Sequence, residues 1–471
     1  MWDLQKYANH LAIIDDLGPK ITYGEMNKIS AEVMRVVDSR CLVVSLCQNS
    51  AGSIIGYVAF INNNIVPILL NAQLEIKLLI NLLDTYAPKY VWLPANQADA
   101  FEEWKAVYSC YNYTLLKTSY DINYTLHDEL ALLLTTSGST GSPKFVRQSY
   151  KNIKANTDSI VEYLELNETE KPITTLPMNY TYGLSIINSH LMVGATILVT
   201  DKSLMQKEFW QFFKDYEATS FGGVPYTYEM LKRLRFMRMS LPTLRTMTQA
   251  GGKLMPELHE EFALYAAENG KNFIVMYGQC EATARMGYLP AKNAVKKRGS
   301  MGIAIAGGKF TLIDMNGKSI TEPFVTGELV YEGANVTLGY AECGEDLSKG
   351  DERGGILYTG DMAQFDEDGY YYIVGRKKRF LKIYGNRVNL DEIDRLIKEK
   401  FEDIDCASAG VDDHLYIFVT DETKASLVKE FVVKKTGLNQ SAFNMVVVDE
   451  IPKNDAGKIL YKQLEKYFLP G

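Results

Sequence analysis

Leu132-Leu-Leu-Thr-Thr-Ser-Gly-Ser-Thr-Gly-Ser-Pro-Lys144 joins an apolar run to a loop of glycines and hydroxyls that ends in a cation. Gly138 and Gly141 let the backbone approach an anion, Ser137, Ser139, Thr140 and Ser142 can donate hydrogen bonds, and Lys144 adds a positive charge. That composition suits the phosphates of a nucleotide. Pro143 stands where a Walker loop needs glycine before its lysine, so the Gly-x-x-x-x-Gly-Lys pattern is absent and the common nucleotide-triphosphatase reading weakens.

Outward from this loop, Ser149 can cap a helix in which Ile153, Ile160, Val161 and Leu164 recur at helical spacing. Short β-branched runs such as Cys41–Leu46, Tyr90–Leu93 and Ala195–Val199 alternate with longer amphipathic segments, the pattern of α/β layering. At 471 residues the chain exceeds one hydrophobic core, so at least two domains are expected. The best boundary lies near Gly375. Tyr370–Val374 reads as a buried strand, and Gly375 to Arg387 then carries six basic side chains and no acid. Beyond it, helices over Asp391–Phe401 and Ala425–Thr436 with strands over Leu415–Val419 and Met445–Val448 make a small α+β domain.

The formal net charge of −8 argues against a nucleic-acid partner, so any phosphate site has to be made locally. Six scattered cysteines lack a Cys-x-x-Cys pair, and five histidines lack metal spacing. No stretch reaches the roughly 18 apolar residues of a membrane span, because Asn62, Asn63 and Asn64 interrupt the best candidate. The amino terminus is charged where a signal peptide would be apolar, and a cytoplasmic protein with reduced thiols is expected.

Four further segments follow in order: Tyr277-Gly-Gln-Cys-Glu-Ala-Thr283, Tyr358-Thr-Gly-Asp361, Gly375-Arg-Lys-Lys378 and Asn454-Asp-Ala-Gly-Lys458. With the opening loop, their order and spacing resemble the adenylate-forming superfamily of acyl-CoA synthetases, peptide-synthetase adenylation domains and luciferases, from about Ile21 to Leu464. The resemblance implies an α/β fold with a large multi-subdomain N-terminal domain (1–374) of parallel-rich sheets layered with helices. It binds ATP and the acyl group. A small mobile α+β C-terminal domain (375–471) closes over it. The implied reaction joins a carboxylic acid to the α-phosphorus of ATP, releases pyrophosphate, and passes the acyl group to a thiol. A carboxylate is ionised near neutral pH and needs no general base, only charge neutralisation and fixed geometry.

The resemblance also implies roles for individual residues. Lys458 bridges carboxylate and phosphate, Glu281 holds Mg²⁺, and Asp361 grips the ribose, with Arg376 and Arg387 approaching ribose and phosphates. Tyr277 lies beside adenine, with Gly278 and Gln279 next to it. Gly251-Gly252 lies against nucleotide and acyl group, and Thr136, Ser137, Gly138, Ser139, Thr140, Gly141, Lys144 and Ile373 complete the nucleotide side. Lys378 is the hinge, which turns the Lys382–Gly385 side inward for the second half-reaction. Cys280 replaces the family's usual threonine, and a thiol is a poorer donor.

Tyr180 in Leu176–Leu184 matches an acyl-CoA synthetase motif. Thr181 stands where amino-acid-activating relatives put an aspartate, so a non-amino acid is expected, its pocket drawing on Gly183, Val224 and Ala284. Coenzyme A is the expected acceptor. A carrier-protein thiol, direct transfer to an amine, and a catalytically decayed ligand-binding protein are the alternatives.

Overall fold

The apolar head of the opening motif, Leu130–Thr135, is a strand buried through Leu134 inside an eight-stranded sheet. The computed structural model describes residues 1–37, 39–135, 144–383, 386–401, 403–453 and 459–468, without the side chains of residues 386 and 387. Two compact units divide the chain: Met1–Lys309 with Tyr331–Leu357, and Phe310–Val330 with Tyr358–Gly471.

In the first unit the large sheet runs Gly339–Ala341, Phe145–Ser149, Leu130–Thr135, Val66–Asn71, Leu42–Cys47, Tyr90–Pro94, Tyr113–Lys117, Lys105–Cys110. Its four central strands are parallel and the outer ones antiparallel. Parallel strands covered on both faces need apolar side chains on both, which is why these segments read as unbroken hydrophobic runs. Leu132 and Leu134 enter the core that holds helix Ala51–Asn62, while Leu130 and Leu133 enter the one that holds helix Ile76–Tyr86.

Helix Tyr150–Tyr163 starts where expected. The Ser149 side chain accepts from Asn152 N–H and the Asn152 side chain accepts from Ser149 N–H, a reciprocal cap. A second sheet orders Ser220–Gly223, Thr246–Gln249 and Asn272–Tyr277 in parallel, with Gly287–Tyr288 and Ile303–Ala304 antiparallel beside them. The strand expected over Ala195–Val199 begins only at Ile197, because Gly194 turns the chain at φ +75° and the Ala195 N–H goes back to His190 O.

The second unit holds most of a five-stranded sheet in which Tyr371–Arg376 is an edge strand. Its side chains are half-buried rather than buried as expected, since no further strand among the described residues pairs with that edge. Helices Leu390–Lys400 and Glu422–Thr436 then pack with strands Cys406–Val411, His414–Val419 and Phe443–Val447 around a core that includes Ile393, Ile397, Ile417, Val428 and Val432. The second helix starts three residues before the expected Ala425, because the Asp421 carboxylate caps the N–H of Thr423. All six cysteines are free thiols, and no helix among the described residues is long and apolar enough to cross a membrane.

Candidate active site

Strand Asn272–Tyr277 ends at the carboxyl edge of the second sheet, where the chain folds back in a tight hairpin. Gly278 is required there: a Cβ on it would lie 1.5 Å from Ala284 O. The return passes through two non-glycine residues with positive φ, Thr283 at +60° and Ala284 at +130°. Such strain persists only where surrounding contacts over-determine it. Here Thr283 Oγ1 donates to Asn335 O at 2.7 Å, and Asn335 Nδ2 donates to Ala282 O and Arg285 O at 2.8 and 3.1 Å. Gln279 Nε2 donates to Tyr277 Oη at 3.3 Å, which orients the ring expected beside adenine.

The Gly251-Gly252 loop follows the neighbouring strand. Gly251 has φ +84°, and a Cβ on it would meet Tyr180 Oη at 2.6 Å and Val224 Cγ1 at 3.1 Å. Gln249, fully buried and unremarked in the sequence, pins the loop by donating to Gly252 O at 2.9 Å. Tyr180 precedes helix Thr181–Met192, whose Gly183 admits Pro177 O; a Cβ there would lie 2.4 Å from it. Burial and then the nearby Cys280 thiol push the Tyr180 hydroxyl well above its ordinary pKa. Thus Tyr180, Val224, Gly251 and Cys280 come together at this strand edge, with Thr181, Val224, Cys280 and Ala284 all buried.

Glu281 and Lys144 are joined by a residue that sequence reasoning missed. Tyr340 Oη donates to Glu281 Oε1 at 2.8 Å, and Lys144 Nζ stands 4.0 Å from the Tyr340 ring centroid. Burial, then the Glu281 charge, raises the Tyr340 pKa, so the phenol keeps its proton and donates. Lys144 also pairs with Glu342 at 3.1 Å, an exposed contact worth little in itself. Only strand register makes this legible: Gly339–Ala341 pairs with Phe145–Ser149, setting Tyr340 opposite Val146. With Oε1 held, Glu281 Oε2 has no hydrogen bond among the described residues. One oriented carboxylate with a free oxygen fits Mg²⁺, which takes few protein ligands and completes its shell from phosphate and water. Among the described residues no cluster of three or more His, Cys, Asp or Glu could hold a metal by itself.

Within the second unit, Asp361 and Arg376 lie opposite each other on paired strands, and Arg376 Nε stands 3.1 Å from Asp361 Oδ1. Asp361 is buried and its N–H donates to Thr359 Oγ1 at 3.0 Å, whereas Arg376 is exposed. Ile373 is half-buried on the Arg376 strand, opposite Ala363. The six basic side chains of the run that follows do not share one environment. Lys377 pairs with Glu328 at 2.7 Å, and Arg379 is buried between Asp391 and Asp394, both at 2.7 Å. Burial lifts the Asp394 carboxyl to about 6 against the pull of Arg379. Lys378 lies in the short turn Lys377–Arg379. Lys382 is exposed and pairs with Arg387 in backbone register. Thr136, Ser137, Gly138, Ser139, Thr140, Gly141 and Lys458, and the side chain of Arg387, lie outside the described residues. Lys453 and Ile459 pair in a bridge.

A family model described as "AMP-binding enzyme" matches residues 2–341. The peroxisomal OPC-8:0-CoA ligase 1 of Arabidopsis thaliana is 30% identical over 355 residues, covering 72% of this chain and 64% of that protein. The 2-succinylbenzoate–CoA ligase of Geobacillus sp. (strain WCH70) is 26% identical over 352 residues, covering 73% and 70%. The chain spans about two thirds of the curated relatives' length, 64% and 70% in these two. In fold it is similar to o-succinylbenzoate CoA synthetase from Bacillus subtilis in complex with the acyl-adenylate OSB-AMP, with a TM-score of 0.78 at 20% identity over 98% and 97% of the two chains. ATP-bound MatB from Rhodopseudomonas palustris gives a TM-score of 0.78 at 22% identity over 97% and 95%.

Proposed function

Because the chain belongs to the AMP-binding enzyme family, we propose that it activates a carboxylic acid other than a standard α-amino acid with ATP and transfers the acyl group to coenzyme A. The observation that carries this reading is the strand edge where Glu281, oriented by Tyr340, and the Gly251 turn beside Tyr180 belong to one compact unit. The CoA-ligase names of the curated relatives support the acceptor. Those names run from oxalate to long-chain fatty acids and do not fix the acid.

In the first step a carboxylate oxygen forms a bond to the α-phosphorus, and the bond to the bridging oxygen breaks, releasing pyrophosphate with its electron pair. In the second, the thiol sulfur bonds to the acyl carbon, AMP leaves, and the thiol proton passes to solvent. Glu281 holds Mg²⁺, which when bound neutralises phosphate charge. Lys144 and the Thr136–Gly141 loop bind the β- and γ-phosphates, Lys458 holds the reacting carboxylate against the α-phosphate, and Asp361 with Arg376 and Arg387 takes the ribose side. Gly251-Gly252 and Tyr277 to Gln279 lie along the nucleotide. Tyr180, Thr181, Gly183, Val224 and Ala284 line the start of the acyl pocket. Residues 375–471 form the lid, with Lys378 as its hinge and the Lys382 face serving thiol transfer.

Exchange of labelled pyrophosphate into ATP, run with Mg²⁺ and a panel of acids, tests the reading. Acid-dependent exchange, followed by AMP release on adding coenzyme A, is expected. Absence of exchange with every acid would sink the activity. ATP binding without exchange would then point to a ligand-binding protein in which Cys280 has cost the first step.

A further inference from the structure

Arg353 is a cation held in place beside the carboxylate that fits Mg²⁺, with no acid of its own. Its side chain is half-buried, and its guanidinium lies 4.7 Å from the centroid of the Tyr340 ring, the same ring that Lys144 Nζ approaches at 4.0 Å. The Tyr340 hydroxyl donates to Glu281 Oε1 at 2.8 Å. Burial and the Glu281 charge raise the pKa of that hydroxyl, and the Arg353 guanidinium beside it acts the other way. One tyrosine is thus met by Glu281, by the lysine that ends the opening motif, and by Arg353.

The backbone around Arg353 is pinned from several sides. Arg147, fully buried, donates through Nε to Tyr340 O at 2.9 Å and through Nη2 to Gly350 O at 3.2 Å, so one guanidinium joins the Tyr340 strand to the loop before Arg353. Glu352 N–H donates to Leu338 O at 2.8 Å, and Asp351 Oδ1 accepts from the N–H groups of Arg353 and Gly354 at 2.9 and 3.0 Å. The acids of this strand and loop are already engaged: Glu342 with Lys144, Glu352 with Arg147, and Asp351 with those two amides. Among the described residues no carboxylate, Glu281 included, stands within ion-pair distance of Arg353. Because the ring has already ordered this long side chain, less conformational freedom is lost when an anion arrives.

We propose that Arg353 is a further phosphate-contacting residue, which takes the terminal phosphates of ATP beside Lys144 and then the pyrophosphate that leaves. This assignment rests on the reading that Glu281 holds Mg²⁺ against those phosphates. A guanidinium offers paired N–H groups to phosphate oxygens. When the bond from the α-phosphorus to the bridging oxygen breaks, its charge lies where negative charge grows.

Calorimetric titration of the full chain with MgATP, magnesium pyrophosphate and AMP tests it, with pyrophosphate exchange over the acid panel run beside it. Arg353→Met keeps a long side chain over the ring and removes the charge. It should weaken MgATP and magnesium pyrophosphate about tenfold or more while AMP binds as before. Arg353→Lys, which guards against a variant that fails to fold, should lie between Arg353→Met and wild type. Tyr340→Phe separates contact from positioning: it disturbs Glu281, so raising Mg²⁺ should restore much of its ATP affinity and none of that lost in Arg353→Met. Unchanged MgATP affinity in Arg353→Met, an equal loss of AMP affinity, or recovery at high Mg²⁺ overturns the proposal and leaves adenylation untouched. Loss of MgATP affinity in Arg353→Met, with no exchange from any acid even in wild type, keeps the proposal and removes the activity. A wild-type chain that binds neither ATP nor pyrophosphate removes both.

Discussion

His190 should make the first unit's stability fall with acidification, by an amount set by its burial. The imidazole is 3% exposed, and desolvation lowers its pKa from 6.5 to about 4. A base whose folded pKa is depressed contributes stability above its unfolded pKa and loses it as the pH falls toward the folded one. Between pH 7.5 and pH 5 the unfolded chain takes up a proton that the folded chain refuses, a difference of about 2 kcal/mol. His190→Asn removes the titration and can still donate to Ile186 O. All four tryptophans, Trp2, Trp92, Trp104 and Trp210, lie in the same unit, so tryptophan fluorescence in a urea titration reports on it. With an m-value of about 3 kcal/mol per molar or more, the wild-type midpoint should lose up to roughly 0.7 M more than the variant's over that pH range. Other groups titrate there as well, including His259, whose pKa burial also lowers; taking the difference between the two proteins cancels them. Equal pH slopes for wild type and His190→Asn would refute the argument that this ring is held neutral in the interior.

Four more outcomes are expected. Tyr340→Phe removes the hydroxyl that orients Glu281; a hydrogen bond to a charged acceptor is worth about 1.5–3 kcal/mol, so exchange should drop roughly tenfold or more and require more Mg²⁺, with thermal stability nearly unchanged. Gly251→Ala forces a Cβ against Tyr180 at φ +84°; adenylation should be lost, and the double variant with Tyr180→Phe, which removes the clash and not the backbone strain, should recover only part of it. Arg379→Met leaves Asp394 buried without its partner and should destabilise the carboxy-terminal unit by about 3–5 kcal/mol, read as faster proteolytic cleavage after residue 376. Lys458→Ala should abolish exchange while the chain stays folded, and wild-type exchange in that variant would remove Lys458 from the mechanism.

Where structure follows from neighbours in sequence, the chain was readable. Ser149 announces its helix because a cap acts over three residues, and the parallel strands announce themselves because burial on both faces leaves no room for polar side chains. Motif order drew Tyr180, Val224, Gly251 and Cys280 out of four separate segments, and the structure sets them side by side. Tyr340 was invisible because its role depends on register between strands distant in sequence. Arg379 stood in the sequence only as one of six basic side chains, since its partners Asp391 and Asp394 come from the next helix, and no local pattern distinguishes a buried arginine from an exposed one.

The strained return of the hairpin after Gly278 ties together two properties that could have been separate. One side chain, Asn335, grips Ala282 O and Arg285 O at once, and its own oxygen is fixed by Tyr331 Oη at 2.8 Å. The carboxylate at Glu281 and the cation at Arg285 therefore hang from a single bracket. A lesion at Asn335 would therefore release the backbone on both sides of the turn at once, the Glu281 side and the Arg285 side.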